Sequence, residues 1–219
     1  LTEVLDILAW NVYIGNRPET VVQHLEGILR EKDPEVAVLM EATRVQGHLY
    51  GLGYHVIQMK PRPLKPGNQP GQANIAILVR KDLEIKKKRA LRMKTFWIGP
   101  KHGWPQDPRV YRSVKVKKRN KTWKIGGAHT PFGVAARNES RIRLVAWLKR
   151  SLPGTPTVLV LDANMHLEEF RTTISGPAGA QAGGVGIDLI AVKNAKLFSA
   201  QNLGLNGSDH PAMLYKVIA

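Results

Sequence analysis

Polar residues with chemistry to offer recur where apolar runs stop. Asn11 closes "VLDILAWN", Glu41 follows "VAVLM", His129 follows "KIGGA", and Asp162 and Asn164 end "TVLVLDAN". Asp188 stands inside "GIDLI", and Asp209 and His210 open the final apolar run in "GSDHPAMLY". Each has an ordinary structural reading by itself: a capping acid, a turn Asn, a core His, or a Ser-Asp turn closed by Pro211. Gathered on one edge of a sheet, they would form a reactive cleft. The oxygen atoms of Glu41 and Asn11, with Asp209 or Asp162, suit a hard divalent cation such as Mg²⁺ or Mn²⁺. Such an ion polarises a phosphate and offsets the charge of an in-line displacement. His210 needs a carboxylate to fix its tautomer and favour its protonated form, and Asp188 is the candidate.

The elements that would carry these residues follow from periodicity. Residues 4–12 read as a strand buried on both faces. In "NRPETVVQHLEGILREKDP", Asn16 can cap, and Val21, Val22, Leu25, Ile28 and Leu29 recur at helical spacing. "EVAVLMEA", "HVIQMK" and "NIAILV" read as strands, the last two joined by the Pro/Gly loop "PRPLKPGNQPGQ". "RVYRSVKVKKRNKTWKIGGAHT" reads as a hairpin turning near Asn120, because Val114 and Val116 alternate with Lys115 and Lys117. Asn138 can cap a second helix, "ESRIRLVAWLKRSL". "TVLVLDAN", a short helix at "LEEFRTTI", "GIDLIAV", "KLFSA" and "AMLYKVI" complete the chain. "SGPAGAQAGGVG" lacks both a leading strand and a following Gly-Lys-Ser/Thr, so it reads as a flexible loop near the cleft and not as a nucleotide loop. The reading is one α/β domain over 1–219 with no internal boundary or repeat.

Composition narrows the partners. Lys and Arg number 33 against 17 Asp and Glu in 219 residues, a formal charge of +16 that favours polyanions such as nucleic acid or acidic lipid. With no cysteine, thiolate nucleophiles and Cys-based zinc sites are excluded. No run is long enough to span a bilayer, so stable membrane insertion is not expected. A cytoplasmic monomer is the expectation.

In order along the chain, "WNVYIGN", "PEVAVLMEA", "NIAILVR", "VYRSV", "GGAHTPFG", "VLDAN", "GIDLI" and "SDHPAML" resemble the motifs of the endonuclease/exonuclease/phosphatase superfamily, whose fold is that of DNase I. The resemblance implies a four-layer αββα sandwich, two packed mixed β-sheets flanked by helices, and hydrolysis of phosphate esters with a divalent ion. It makes Glu41 a metal ligand, Asn11 a support for metal or phosphate, and Asp209 a contributor to metal binding or orientation. Asp162 would align or deprotonate the attacking water, and Asn164 would hold the phosphate. Asp188 and His210 match the family's buried pair, with His210 as general base or as a charged stabiliser of the pentacovalent phosphate. Arg112 would contact phosphate, and His129 a phosphate oxygen or the leaving group. The chain departs from the pattern at Tyr13, where many members carry a second acid, and at Gln72-Ala73-Asn74, where DNase I-like members place a Glu partner for the histidine.

Fold does not choose the ester. Lys86, Lys87, Lys88, Arg89, Lys115, Lys117, Lys118 and Lys121 form a candidate nucleic-acid patch, with a solvated basic surface as the alternative. Trp97 and Trp104 could stack on bases, pack in the core or touch lipid. The leading expectation is a Mg²⁺- or Mn²⁺-dependent nuclease, on DNA more than RNA. The alternatives are a sphingomyelinase-type lipid phosphodiesterase and a nucleic-acid-binding module without catalysis.

Overall fold

The computed structural model describes residues 2–12, 18–43, 45, 47–58, 75–92, 110–130 and 134–219. Among these residues, twelve strands form two six-stranded sheets. Sheet A has the order β11 (Lys196–Asn202), β12 (Met213–Ile218), β1 (Val4–Asn11), β2 (Val36–Met40), β4 (Ala76–Arg80), β3 (Tyr54–Ile57). Sheet B has the order β5 (Glu84–Arg92), β6 (Val110–Lys118), β7 (Lys121–His129), β8 (Thr157–Asp162), β10 (Asp188–Lys193), β9 (Gln181–Val185). In each sheet one central pair is parallel, β1 with β2 and β7 with β8, and the remaining pairs are antiparallel.

Alternation along the strands builds the layers. Leu5, Ile7, Ala9, Val36, Val38 and Met40 of sheet A meet Val114, Val116, Trp123, Ile125, Val158, Val160, Ile190 and Val192 of sheet B in the central core. Intervening residues face outward. Leu8, Trp10 and Leu39 pack under Val21, Val22, Leu25 and Leu29 of helix α1 (Pro18–Lys32). Tyr111, Ala128, Leu159 and Leu161 pack under Leu144, Trp147 and Leu148 of helix α2 (Val134–Lys149) and the helical segment 167–178. The result is the αββα sandwich expected.

The structure adds one strand that the sequence reading did not assign and corrects two local expectations. The basic run Glu84–Arg92 is an edge strand, because its pairing to β6 is made by backbone and needs no apolar alternation. Part of the Gly-rich segment is strand β9, paired to β10, so it is not a loop throughout. Asn138 lies inside α2, with its Oδ1 accepting from Arg141 at 3.1 Å, and does not cap the helix, which begins at Val134. Asn16, Tyr13, residues 72–74, Trp97 and Trp104 lie outside the described residues. No described helix is long and apolar enough to cross a membrane.

Candidate active site

The same alternation that builds the central core delivers its polar edge. Asn11 follows Ile7 and Ala9, His129 follows Ile125 and Gly127, Asp162 follows Val158 and Val160, and Asp188 precedes Ile190 and Val192. Each therefore points between the sheets. Strand directions put them at one end, since Asn11, His129 and Asp162 close strands while Asp188 opens one antiparallel to β8. His129 and Asp188 both stand in register with Asp162.

Asp162 is the hub. Its Oδ2 accepts from Asn11 Nδ2 at 2.9 Å and lies 3.4 Å from His129 Nε2 and 3.8 Å from His210 Nε2. Its Oδ1 accepts the backbone N–H of Asn164 at 3.2 Å. The other nitrogen of His129 faces Glu41 Oε1 at 3.3 Å, and the other nitrogen of His210 faces Asp188 Oδ2 at 2.9 Å. The chain thus brings Glu41, His129, Asp162, His210 and Asp188 into one relay of alternating acid and imidazole. Glu41 and Asn164 both hold left-handed backbone, at φ of 55° and 46°. Such conformations persist where surroundings impose them, often at functional sites.

Burial sets the charge states. Asp162's carboxyl is pushed up mainly by its burial and further by the Asp188 charge, against the pull of His210 and the Asn11 hydrogen bond. For His210, burial acts downward, but the Asp188 hydrogen bond and the charges of Asp188, Asp162 and Asp209 outweigh it and raise the imidazole to about 9. His210 is therefore an imidazolium at neutral pH.

A divalent cation fits this donor set. The ligand atoms of Glu41, His129 and Asp162 lie within 4.8 Å of one another, as do those of Asp162, Asp188 and His210. The upward push on Asp162 marks a buried site rich in carboxylate, which added positive charge would relieve. Asp209 belongs to neither group. Its side chain is 62% exposed, and its Oδ1 lies 3.9 Å from His210 Nε2, at the rim.

Arg112 is buried on the inner face of β6, in register with Gly127 and two residues short of the level of His129. Gly127 is required there, because a Cβ would come within 2.6 Å of Val38 Cγ1 and 2.8 Å of Ile75 Cγ2. Burial lowers the Arg112 guanidinium to about 10, and its Nε and Nη2 find no hydrogen-bond partner among the described residues. A buried cation so placed is prepared for an anion.

Three supporting residues escaped the sequence reading. Thr130 accepts from Asn164 Nδ2 through its carbonyl and donates its hydroxyl to the Ala163 carbonyl. Ser208 Oγ donates to the Asn11 carbonyl at 2.7 Å and accepts the His210 N–H at 3.2 Å. Trp10 Nε1 donates to the His210 carbonyl at 3.0 Å. Thr130 and Ser208 are sequence neighbours of His129 and Asp209, the one signal that could have found them.

The proposed basic residues divide. Lys118 is drawn to Glu35 at 2.5 Å and to the Val4 carbonyl, and Lys86 to Glu84 at 2.5 Å. Lys118 and Lys121 flank the hairpin turn at the far end of β7, roughly 27 Å of strand from His129. Lys88 is in register with Val114 and so lies on the inner side of the edge strand, whereas Lys87, Arg89, Lys115 and Lys117 lie on the outer face of sheet B.

The model of the Endonuclease/Exonuclease/phosphatase family matches residues 8–210, from the first buried strand to the histidine of the Asp-His pair. The chain belongs to this family. Membership supports a hydrolase of the phosphodiesterase or nuclease kind, and the family generally uses a divalent metal. A search of curated proteins finds no match. Among solved structures, TDP2 of D. rerio complexed with single-strand DNA product is 14% identical, with a TM-score of 0.78 over 98% of this chain and 99% of that one. A humanised form of D. rerio TDP2 carrying 14 mutations is 13% identical, with a TM-score of 0.78 over 98% of both chains. An endonuclease/exonuclease/phosphatase protein from Bacteroides vulgatus is 15% identical, with a TM-score of 0.73 over 98% of both. These likenesses bear on the fold.

Proposed function

We propose that this protein is a Mg²⁺- or Mn²⁺-dependent phosphodiesterase that hydrolyses nucleic acid, DNA in preference to RNA. The observation that carries the reading is the shared Asp162, which joins Glu41 and His129 on one side to His210 and Asp188 on the other. Glu41 and Asp162, with Asn11 steadying Asp162, would hold the cation; the ion supplies Lewis-acid polarisation of the phosphate. Asp162 orients the attacking water and takes its proton, and Asn164, fixed through Thr130, holds a phosphate oxygen. His210, charged at neutral pH and oriented by Asp188, stabilises the negative charge of the pentacovalent phosphate and gives its proton to the leaving oxygen. Arg112 supplies a buried cation for the phosphate, and His129, set between Glu41 and Asp162, steadies both carboxylates. The excess of Lys and Arg supports a polyanionic substrate, and the likeness to a TDP2 solved with single-strand DNA favours DNA.

The test is a substrate panel of single- and double-stranded DNA, RNA and sphingomyelin vesicles, each with Mg²⁺ or Mn²⁺. DNA is expected to be cut fastest. Turnover of the choline lipid without cleavage of either nucleic acid would replace this reading with the lipid one.

A further inference from the structure

A row of lysines crosses the outer face of sheet B. Lys87 stands in register with Lys115, Lys115 with Lys124, Lys124 with Thr157, and Thr157 with Lys193. Their neighbours Val114, Val116, Ile125, Val158 and Val192 face the central core, so the four lysines face away from it. At a strand spacing of about 4.8 Å the row spans about 19 Å across five strands. Arg89 lies on the same face two residues from Lys87, and Arg150 follows the end of α2.

The sheet holds this row against its own repulsion. Lys124 is the fixed point: its Nζ donates to the Trp147 carbonyl at 2.8 Å and to Ser151 Oγ at 3.2 Å, and lies 3.8 Å from the Trp147 ring centroid. Burial first, then Lys115, Arg89, Lys193 and Arg150, lower its ammonium to about 8. Like charges directly opposite across a sheet are destabilising. Lys86, Lys118 and Lys216 pair with acids, with Glu84, Glu35 and Asp6. None of the four in the row has a carboxylate partner among the described residues. A ligand carrying spaced negative charge would relieve the repulsion.

We propose that this row is a second binding surface, an exosite that carries the phosphate backbone of a nucleic acid whose scissile bond lies in the cleft. A line of single cations fits a strand of phosphates better than it fits the plane of a membrane. The proposal rests on the reading of the substrate as nucleic acid. Lys124 lies five residues before His129 on β7 and on the opposite face, about 17 Å of strand away. At 3.4 Å of rise per nucleotide, only substrates extending at least about five nucleotides beyond the cleft reach it.

The experiment uses the triple variant Lys87→Gln, Lys115→Gln, Lys193→Gln, which spares Lys124 and its hold on α2, with circular dichroism and thermal melting to check the fold. Binding of a 30-nucleotide single strand, more than long enough to reach both surfaces at about 3.4 Å per nucleotide, is titrated with salt in the presence of chelator. The slope of log affinity against log salt is expected to fall by about 2, the value for three lost single-strand phosphate contacts. With metal, KM for that strand should rise about tenfold while hydrolysis of a dinucleotide is unchanged. An unchanged slope overturns the exosite. So does loss of binding to anionic phospholipid vesicles in the variant with nucleic-acid binding intact. Because binding is read without turnover, a fallen slope in a protein that cleaves no nucleic acid keeps the exosite and removes the proposed activity; cleavage with an unchanged slope does the reverse.

Discussion

Two histidines share Asp162 from opposite sides, yet their surroundings assign them different tasks. His129 is almost wholly buried between Glu41 and Asp162, where it fixes carboxylates that would hold a cation. His210 is partly exposed and is tied through Nδ1 to Asp188, which leaves Nε2 turned toward Asp162 and Asp209. Its raised value of about 9 gives a sign to the pH dependence. If the imidazolium is the active form, the His210-dependent part of the rate falls on the alkaline side, below about 9, because a cation held by Asp162 would offset part of the charge that raises the imidazole. A rate measured under single-turnover conditions that climbs with pH from 7 to 9 would make His210 a general base instead. The stability this group contributes is fully present below its unfolded value near 6.5 and is lost as pH rises through about 9. Asp188→Asn should cost roughly 10²- to 10⁴-fold in kcat, as loss of an oriented acid-base group does, with little change in KM. Ser208→Ala removes both the bond to the Asn11 carbonyl and the acceptor for the His210 N–H, and should cost about 1–3 kcal/mol in a denaturant titration.

At the level of strands and helices, glycines set how closely the parts of the site approach. Gly184 has φ of 130°, and a Cβ there would meet the Asp188 carbonyl oxygen and Leu189 Cα. Gly184→Ala should therefore push β9 away from β10 just where Asp188 starts, lowering kcat more than the melting temperature. Gly127→Ala acts between the sheets, against Val38 and Ile75, and overpacking of this kind costs about 1–3 kcal/mol. Equal melting curves for wild type and Gly127→Ala would show that the sheets yield there. These elements were unevenly legible in the sequence. β1, β2, β4, β8 and β10 are dense in β-branched and aliphatic residues, and the acids and amides at their ends stood out because an apolar run stops there. β5 was hidden because an edge strand with solvent on its side chains tolerates Lys-Lys-Lys-Arg. β9 was hidden because Gln-Ala-Gly-Gly-Val carries little β propensity and is held by β10. The lysine row was invisible for another reason: its members come from four strands, and only register aligns them.

Across the whole molecule, chemistry and structural ion pairing occupy opposite ends of the sandwich. At the end away from the cleft, the buried Glu35 receives Arg80 at 3.2 Å and Lys118 at 2.5 Å and accepts the Asp6 N–H at 3.1 Å. Lys118 belongs to sheet B and Glu35 precedes β2 of sheet A, so this cluster clamps the sheets together at that end. Glu35→Gln leaves two cations without their shared acid and should destabilise the fold by about 2–4 kcal/mol while kcat holds in the folded fraction. Sheets clamped at one end and polar at the other describe a rigid floor with a reactive rim, whose charge balance a bound cation would complete.

The central claim is that this rim hydrolyses phosphodiesters and depends on a divalent cation that Glu41 and Asp162 would hold. Cleavage of a single-stranded DNA oligonucleotide should vanish in chelator and return with Mg²⁺ or Mn²⁺, and Asp162→Asn should remain inactive at every metal concentration while still folding. Cleavage undiminished in chelator, or Asp162→Asn cutting at the wild-type rate, would contradict it.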